Sequence, residues 1–307
     1  MILTVCMSPS VDVTVEVDAL NVGKTNIVKS KSITYTGKAL NVAIGVSRLG
    51  REAYATGFLY EENGAPFLRT LDREGVRHNF VWSAGRVREN FKCIDRHSML
   101  TEVNDVGGEL EKGKTEELLE RIRTGSAHAD VTVISGGLPR GVDASYYEQA
   151  FCAVAPSSLK ICDAVGGKLF AALEAGVDLV KPNRDELESS LGREFHDKAE
   201  LLSGCRELVD RGAKTVLLSL GKEGAVITNG SRNYYCKSIN VAVNFTVGAG
   251  DGMVAAAAVR LAEGADLEEL LRAGVAGGTA TVTTFDTVSF AKKKFDEIYA
   301  GLTVKEI

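Results

Sequence analysis

A chain of 307 residues with 45% hydrophobic and 25% charged residues has the make-up of an ordinary globular protein, long enough for one large α/β domain or two of average size. Its formal charge of −5 argues against a broad nucleic-acid or anionic-membrane surface, so an anionic ligand would need a local cluster of lysine and arginine. Six cysteines with no CxxC pair, and no histidine at ligand spacing, indicate neither zinc nor a disulfide framework.

The chain enters an apolar strand at once, Ile2-Leu3-Thr4-Val5-Cys6-Met7, with no basic leader ahead of it. No segment reaches the run of about 18 apolar residues that crosses a bilayer. The expected location is the cytoplasm, with neither nucleic acid nor membrane as partner. After Ser8-Pro9-Ser10, residues 11–17 alternate like a strand with one wet face, and short strands follow at 27–28 and 33–35. Thr36-Gly37-Lys38 then opens a helix that Gly50 can end. Residues 53–60 read as a buried strand, 64–74 as a helix and 79–83 as a strand, while 87–94 and 98–104 resemble half-exposed strands.

From residue 115 the rhythm becomes regular. Helices at 115–124, 144–155 and 167–175 alternate with strands at 131–135, 159–162 and 178–181, which implies a parallel sheet covered on both faces. Helices at 184–191 and 197–211, a strand at 215–220 and a β run through Val226, Tyr235 and Val243 follow; helices at 251–263, 267–280 and 289–300 finish the chain. The half-exposed strands fall in two blocks, about 11–35 and 86–104, and interrupt the alternation. With no linker and no internal repeat, the expectation is a single α/β domain over residues 1–307 carrying a small β lid.

The densest chemistry lies in Thr246-Val247-Gly248-Ala249-Gly250-Asp251-Gly252. Its glycines allow the amides of Ala249, Gly250 and Asp251 to converge at a helix start, where an anion is favoured. An acid placed there repels phosphate unless it has a task, and the natural one is taking the proton from a hydroxyl that attacks phosphorus. The helix dipole is expected to keep it ionised. On this stretch alone, a simple helix cap is an equal reading.

Further turns follow strands: Ser135-Gly136-Gly137-Leu138-Pro139, Asp163, Lys181-Pro182-Asn183-Arg184-Asp185-Glu186-Leu187 and Ser219-Leu220-Gly221. Open α/β sheets bind ligands beyond the carboxyl ends of their strands, so these turns should line one crevice. A match to GxxxxGK[ST] from Gly108 to Thr115 is set aside. The segment before it is polar where a P-loop needs a buried strand, and Glu109 and Glu111 would point charge into the phosphate cradle.

In this order, together with Met7-Ser8-Pro9-Ser10-Val11-Asp12-Val13 and Gly37-Lys38 through Asn41-Val42-Ala43, the motifs resemble the PfkB (ribokinase-like) carbohydrate kinases nearly end to end. The likeness is greatest to the 1-phosphofructokinase and tagatose-6-phosphate kinase branch. It implies a ribokinase-like three-layer α/β fold, a mostly parallel central sheet flanked by helices, plus a small β-sheet lid. It further implies ATP and Mg²⁺ as cofactors, a sugar phosphate as substrate, Asp251 as catalytic base, and Gly248, Ala249 and Gly250 beside it in a backbone anion hole. Asn183 and Glu186 match the element that looks to Mg²⁺ and phosphate through water, with a helix cap as the other reading. Ser219, Gly221, Thr246 and Gly248 fall where nucleotide phosphates are held. Ala276 and Thr279 fall beside adenine, unless small residues there only permit helix packing.

For the sugar, the resemblance implies contacts from Asp12, Gly37, Asn41 and Ser135. Arg88, Asn90 and Lys92, spaced two apart on a lid strand, share one side and with Lys38 could grip the sugar's phosphate; a solvated charged edge strand is the alternative. Three positions depart from the family: Ala39 and Gly137 stand where glycine and serine are common, and Gly252 where serine commonly follows the aspartate. They leave open a second reading, a sugar-phosphate-binding protein on a kinase scaffold that has lost useful catalysis. Asn26-Ile27-Val28 lacks an arginine that some members carry, which favours fructose 1-phosphate over tagatose 6-phosphate. Lids of the family often pair between subunits, so a homodimer through the lid is expected by resemblance.

Overall fold

Ile2, Thr4 and Cys6 point to one side of the first strand and Leu3 and Val5 to the other, and all five are buried, so the strand needs cover on both faces. The computed structural model, which describes residues 1–97, 99–244, 246–284 and 290–307, provides that cover. The strands β1 (Ile2–Cys6), β2 (Ser10–Glu16) and β3 (Ser30–Thr36) precede helix α1 (Lys38–Arg48). β4 (Ala53–Tyr60) and α2 (Ala65–Arg73) lead to β5 (Arg77–His78), β6 (Val81–Ser83), β7 (Arg88–Ile94) and β8 (Leu100–Asn104). Alternation follows through α3 (Lys114–Ser126), β9 (Val131–Ser135), α4 (Tyr146–Cys152), β10 (Leu159–Asp163), α5 (Gly167–Glu174) and β11 (Leu179–Val180). Then come α6 (Arg184–Leu191), α7 (Lys198–Asp210), β12 (Val216–Ser219), β13 (Ala225–Thr228) and β14 (Asn233–Cys236). Three helices, α8 (Ala249–Ala262), α9 (Leu267–Thr281) and α10 (Lys292–Gly301), and the strand β15 (Val304–Glu306) complete the described elements.

The large sheet runs β15-β14-β13-β12-β11-β10-β9-β1-β4-β5, with β6 also on β4. Pairs from β12 to β5 are parallel, and the edge from β12 through β15 is antiparallel. Buried residues of α1, α2, α8, α9 and α10 pack with Ile2, Cys6, Val131 and Ile161 on one side. Those of α3 through α7 pack with Leu3, Val5, Ile134 and Cys162 on the other. The three-layer α/β arrangement read from the motifs is therefore present. A separate four-stranded sheet, β3-β2-β7-β8, is the lid, with β2 and β7 parallel and Asp12 beside Asn90 in their register.

Local boundaries moved where pairing outweighed composition. The two pieces read at 27–28 and 33–35 are one strand, β3, whose ladder runs from Thr36 beside Ser10 to Ser30 beside Glu16; Ile27 and Val28 lie outside it. Of the strand read at 79–83 only 81–83 forms, as β6, and β5 lies just before that span; the two pair with β4 at separate places. Val243 is not in a strand, and β15 exists only through its partner β14. The starts expected at residues 98 and 289 lie outside the described residues.

Helix α8 is buried from Asp251 to Val259, and its bareness is what lets α9 approach. A Cβ on Gly252 would lie 2.1 Å from Thr281 Oγ1 and 2.8 Å from the Gly277 carbonyl oxygen; one on Gly277 would lie 2.3 Å from the Gly252 carbonyl oxygen. Backbone thus meets backbone across this pair, and the serine common after the aspartate in the family has no room. Gly137 differs, since a Cβ there would meet Ser8 Cβ at an ordinary 3.4 Å. Gly277→Ala should lower stability by about 1–3 kcal/mol through overpacking, while Gly137→Ala leaves the melting temperature unchanged. Thermal denaturation of the two variants checks the contrast.

Candidate active site

Gly248 takes φ +86° and caps α8, so Ala249, Gly250 and Asp251 form its first turn. Amides in a first helical turn lack carbonyl partners four residues back. Here the Ala249 amide reaches Thr246 O only at 3.4 Å, those of Gly250 and Asp251 find no carbonyl among the described residues, and the ladder begins with Gly252 N to Gly248 O at 2.9 Å.

The Asp251 carboxylate is buried beneath this turn. Asn41 Nδ2 donates to its Oδ2 at 2.8 Å, and Thr36 Oγ1 donates to Asn41 Oδ1 at 2.8 Å. Oδ1 of Asp251 accepts no hydrogen bond from the described residues. Gly37 brings Asn41 within reach, because a Cβ there would lie 2.7 Å from Cys6 Sγ and 3.2 Å from Pro9 Cα. Ala39 lies inside α1, fully buried in the core, so this departure falls on a packing position.

Beyond the carboxyl ends of β9, β10 and β11 the charges close into a ring. Lys38 Nζ lies 3.3 Å from Asp163 Oδ2 and 3.4 Å from Glu186 Oε1. On the opposite side, Lys181 Nζ lies 3.4 Å from Asp163 Oδ1 and 3.6 Å from Glu186 Oε2. Ser135 Oγ adds a hydrogen bond to Asp163 Oδ2 at 2.9 Å. Lys181 runs directly below the glycine turn, since a Cβ on Gly250 would lie 3.3 Å from its Nζ.

These neighbours set the acidities. Burial pushes the Asp163 carboxyl up, but Lys181 and Lys38 outweigh it and hold the group at about 2. The Asp163 charge in turn raises the Lys38 ammonium. For Asp251, burial and then the Asp163 charge push the carboxyl up to about 7, against the pull of Lys38, Asn41 and Lys181. The helix dipole therefore does not keep this acid firmly ionised: loss of water outweighs it, and the group sits at its proton-exchange point near neutrality.

Asn183 is the N-cap of α6 in a capping box, its Oδ1 accepting from Glu186 N and its own N–H donating to Glu186 Oε2, both at 2.8 Å. Glu186 thus caps the helix and faces the lysines at once. Two cavities meet beside the glycine turn. One of about 330 Å³ is mainly apolar, lined by Ile239, Val241, Met253, Val275, Gly278 and Thr279. The other, of about 660 Å³, is lined by Lys181, Asn183, Arg184, Lys198 and Gly250, and Ser219, Gly221, Thr246 and Ala249 border both. Ala276 is fully buried and lines neither; its neighbours on α9 do.

In the lid, Asp12 accepts from Ser10 Oγ and Asn90 Nδ2 at 3.0 Å each and from Lys92 Nζ at 2.7 Å. Arg88 donates from Nε to Pro9 O at 3.3 Å, its only hydrogen bond among the described residues. Thr36, Asp163 and Lys181 are the participants that residue types alone did not single out. Each ends or follows a strand, a signal that marks the crevice without saying which side chain turns into it.

A model of the pfkB family carbohydrate kinases matches residues 5–294. The chain belongs to that family. It is 28% identical to a 1-phosphofructokinase of Vibrio cholerae over 92% of this chain and 89% of that one. It is 31% identical to a tagatose-6-phosphate kinase of Staphylococcus epidermidis over the whole of both. Among solved structures, phosphofructokinase-2 from Escherichia coli in complex with potassium superposes with a TM-score of 0.91 at 29% identity, covering 98% of each chain. This pfkB kinase is accordingly a sugar kinase, which transfers phosphate to a hydroxyl group.

Asp251 also links the site to stability. Its folded pKa of about 7 stands above the ordinary 3.8, so its contribution is full below pH 4 and is lost as pH rises toward 7. Asp251→Asn, which cannot ionise, should melt above the parent at pH 8, with the gap closing as pH falls toward 4; calorimetry across that range reads it.

Proposed function

We propose that this pfkB kinase transfers the γ-phosphoryl group of ATP to a hydroxyl of a phosphorylated ketohexose, with fructose 1-phosphate as acceptor and fructose 1,6-bisphosphate as product. The observation that carries the reading is Asp251: among the described residues one oxygen is held by Asn41 and the other accepts no hydrogen bond, at the head of a helix where the Gly250 and Asp251 amides find no carbonyl. A base titrating near neutrality can take the acceptor's proton late in a loose transition state. The amides of Ala249, Gly250 and Asp251 then stabilise charge on the migrating group, which needs no reorganisation because the helix fixes them.

The two adjoining cavities suit a nucleotide. The apolar one beside α9 accepts the base, and the polar one, with Lys181 and Lys198 in its wall, accepts the phosphates. Mg²⁺ would neutralise phosphate charge during transfer. Among the described residues no group of three or more acidic, histidine or cysteine side chains could hold a metal. Both Glu186 oxygens already face lysine or an amide, which fits an ion carried by phosphate oxygens and water, with Asn183 and Glu186 touching its water shell. Arg88, whose terminal guanidinium nitrogens are unpaired among the described residues, suits the sugar's own phosphate. The relatives' names include both sugar phosphates, and the missing arginine after Asn26 favours fructose 1-phosphate, with tagatose 6-phosphate the runner-up. The cytoplasm, which supplies ATP and sugar phosphates, is the proposed location.

The lid offers an interface. Ile33, Phe91 and Val103 fall in one row with Val13 across all four strands, and the first three are 45%, 49% and 65% exposed. A second copy covering this row would give a homodimer with a self-complementary patch. Phe91→Glu should then shift the protein to monomers in analytical ultracentrifugation; an unchanged sedimentation coefficient would discard the interface.

Coupled ADP release over fructose 1-phosphate, fructose 6-phosphate, tagatose 6-phosphate and the unphosphorylated sugars tests the substrate, with fructose 1-phosphate expected to give the highest kcat/KM. Asp251→Ala should lower turnover by about 10²–10⁴ while ATP still binds. Near-normal turnover in that variant would refute the role of the base.

A further inference from the structure

Lys92 and Asn90 make contacts that a phosphate-gripping strand would not. Lys92 is 4% exposed and gives its ammonium to Asp12 at 2.7 Å, with Glu102 at 4.0 Å behind it. A lysine already inside a buried ion pair has its charge balanced before any ligand arrives. Asn90 is 8% exposed, and its Nδ2 donates to Asp12 Oδ1 while its own Oδ1 has no partner.

The amide's orientation is fixed by chemistry. Turned over, Asn90 would set its oxygen against Asp12 Oδ1, acceptor on acceptor, so the nitrogen must face Asp12 and the oxygen must face away. A buried carbonyl oxygen without a donor is costly, and the group that relieves it must bring a proton. A phosphate dianion has none to give. A sugar hydroxyl does, and Asp12, with three donors on two oxygens, keeps room for one more.

Beside Asp12, whose contact with the sugar the family resemblance already implies, we propose that Asn90 adds a second acceptor, so that the pair reads two neighbouring hydroxyls of the sugar, and that Lys92 is a positioning residue for Asp12 and not a ligand of phosphate. The proposal rests on the sugar-phosphate kinase reading and assigns each lid side chain a separate task. Ser10 and Asn90 hold Asp12 Oδ1, Lys92 holds its Oδ2, and Arg88 is left for the phosphate. The pocket would demand hydroxyls able to donate at two adjacent carbons and reject a sugar lacking either.

The test uses the wild-type enzyme, its Asn90→Ala and Lys92→Met variants, and the preferred sugar phosphate with its monodeoxy and deoxyfluoro analogues. Fluorine can accept but not donate, so at the position Asn90 reads, the deoxy and deoxyfluoro analogues should both lose about 10- to 100-fold in kcat/KM. Asn90→Ala should lose as much on the parent sugar and nothing further on those two analogues. Lys92→Met should weaken phosphorylated and unphosphorylated sugars by the same factor. Full activity of every deoxyfluoro analogue, or a Lys92→Met defect confined to phosphorylated sugars, would overturn the proposal. Should Lys92→Met not fold, the wild-type analogue series decides alone. Should the wild type release no ADP with any sugar phosphate, the kinase reading fails instead, and calorimetric binding of the same analogues without nucleotide still judges the double acceptor.

Discussion

Two lysines and two carboxylates, alternating around a ring whose inner pair is closed to water and whose outer pair opens to the crevice, are what the site is built on. Lys181 and Asp163 are almost wholly buried, and either alone would be strongly destabilising there. Paired, and joined by Lys38 and Glu186, they neutralise one another and leave Asp251 as the uncompensated acid. Burial, and then the Asp163 charge, moves the Asp251 carboxyl to where it exchanges a proton near neutral pH. A base in open water would hold its proton too weakly to be useful.

The ring also explains why chain segments far apart must meet. Its members come from the start of α1, the end of β10, the residue after β11 and the first turn of α6, and the acid they surround begins α8. Parallel strands deliver their carboxyl ends to one edge, so every one of these turns opens into the same crevice. Helix α8 can settle over that crevice only because it carries almost no side-chain bulk toward α9. The Gly252 and Gly277 contact is therefore part of the site, although neither residue meets a ligand in the reading given above.

The lid is tied to the same acid by hydrogen bonds. Thr36 ends β3, donates to Asn41, and Asn41 donates to Asp251. A shift of that strand would be felt at Asp251, which under the role proposed for that acid gives a lid motion a physical route to the chemistry. The opposite face of the same sheet carries the exposed apolar row, so one thin element has a polar side toward Asp12 and an apolar side toward solvent.

Sequence alone determined the class of fold and the position of the glycine turn. Alternating helix and strand lengths dictate a covered parallel sheet, and three glycines around one aspartate leave few uses for that acid. A strand end marked Ser135 and a helix start marked Lys38 as members of the crevice, while Asn41 and Glu186 were implied by the family resemblance. These signals did not reveal Asp163 and Lys181 as its electrostatic partners, the need for Gly252, or the pairing of Lys92 with Asp12. Those depend on distances between residues such as Asp12 and Lys92, or Asn41 and Asp251, that are remote along the chain. Periodicity reports which way a side chain leaves its own backbone; only packing decides which charge it meets, and at contact distance in a dry interior that neighbour sets both its proton affinity and its task.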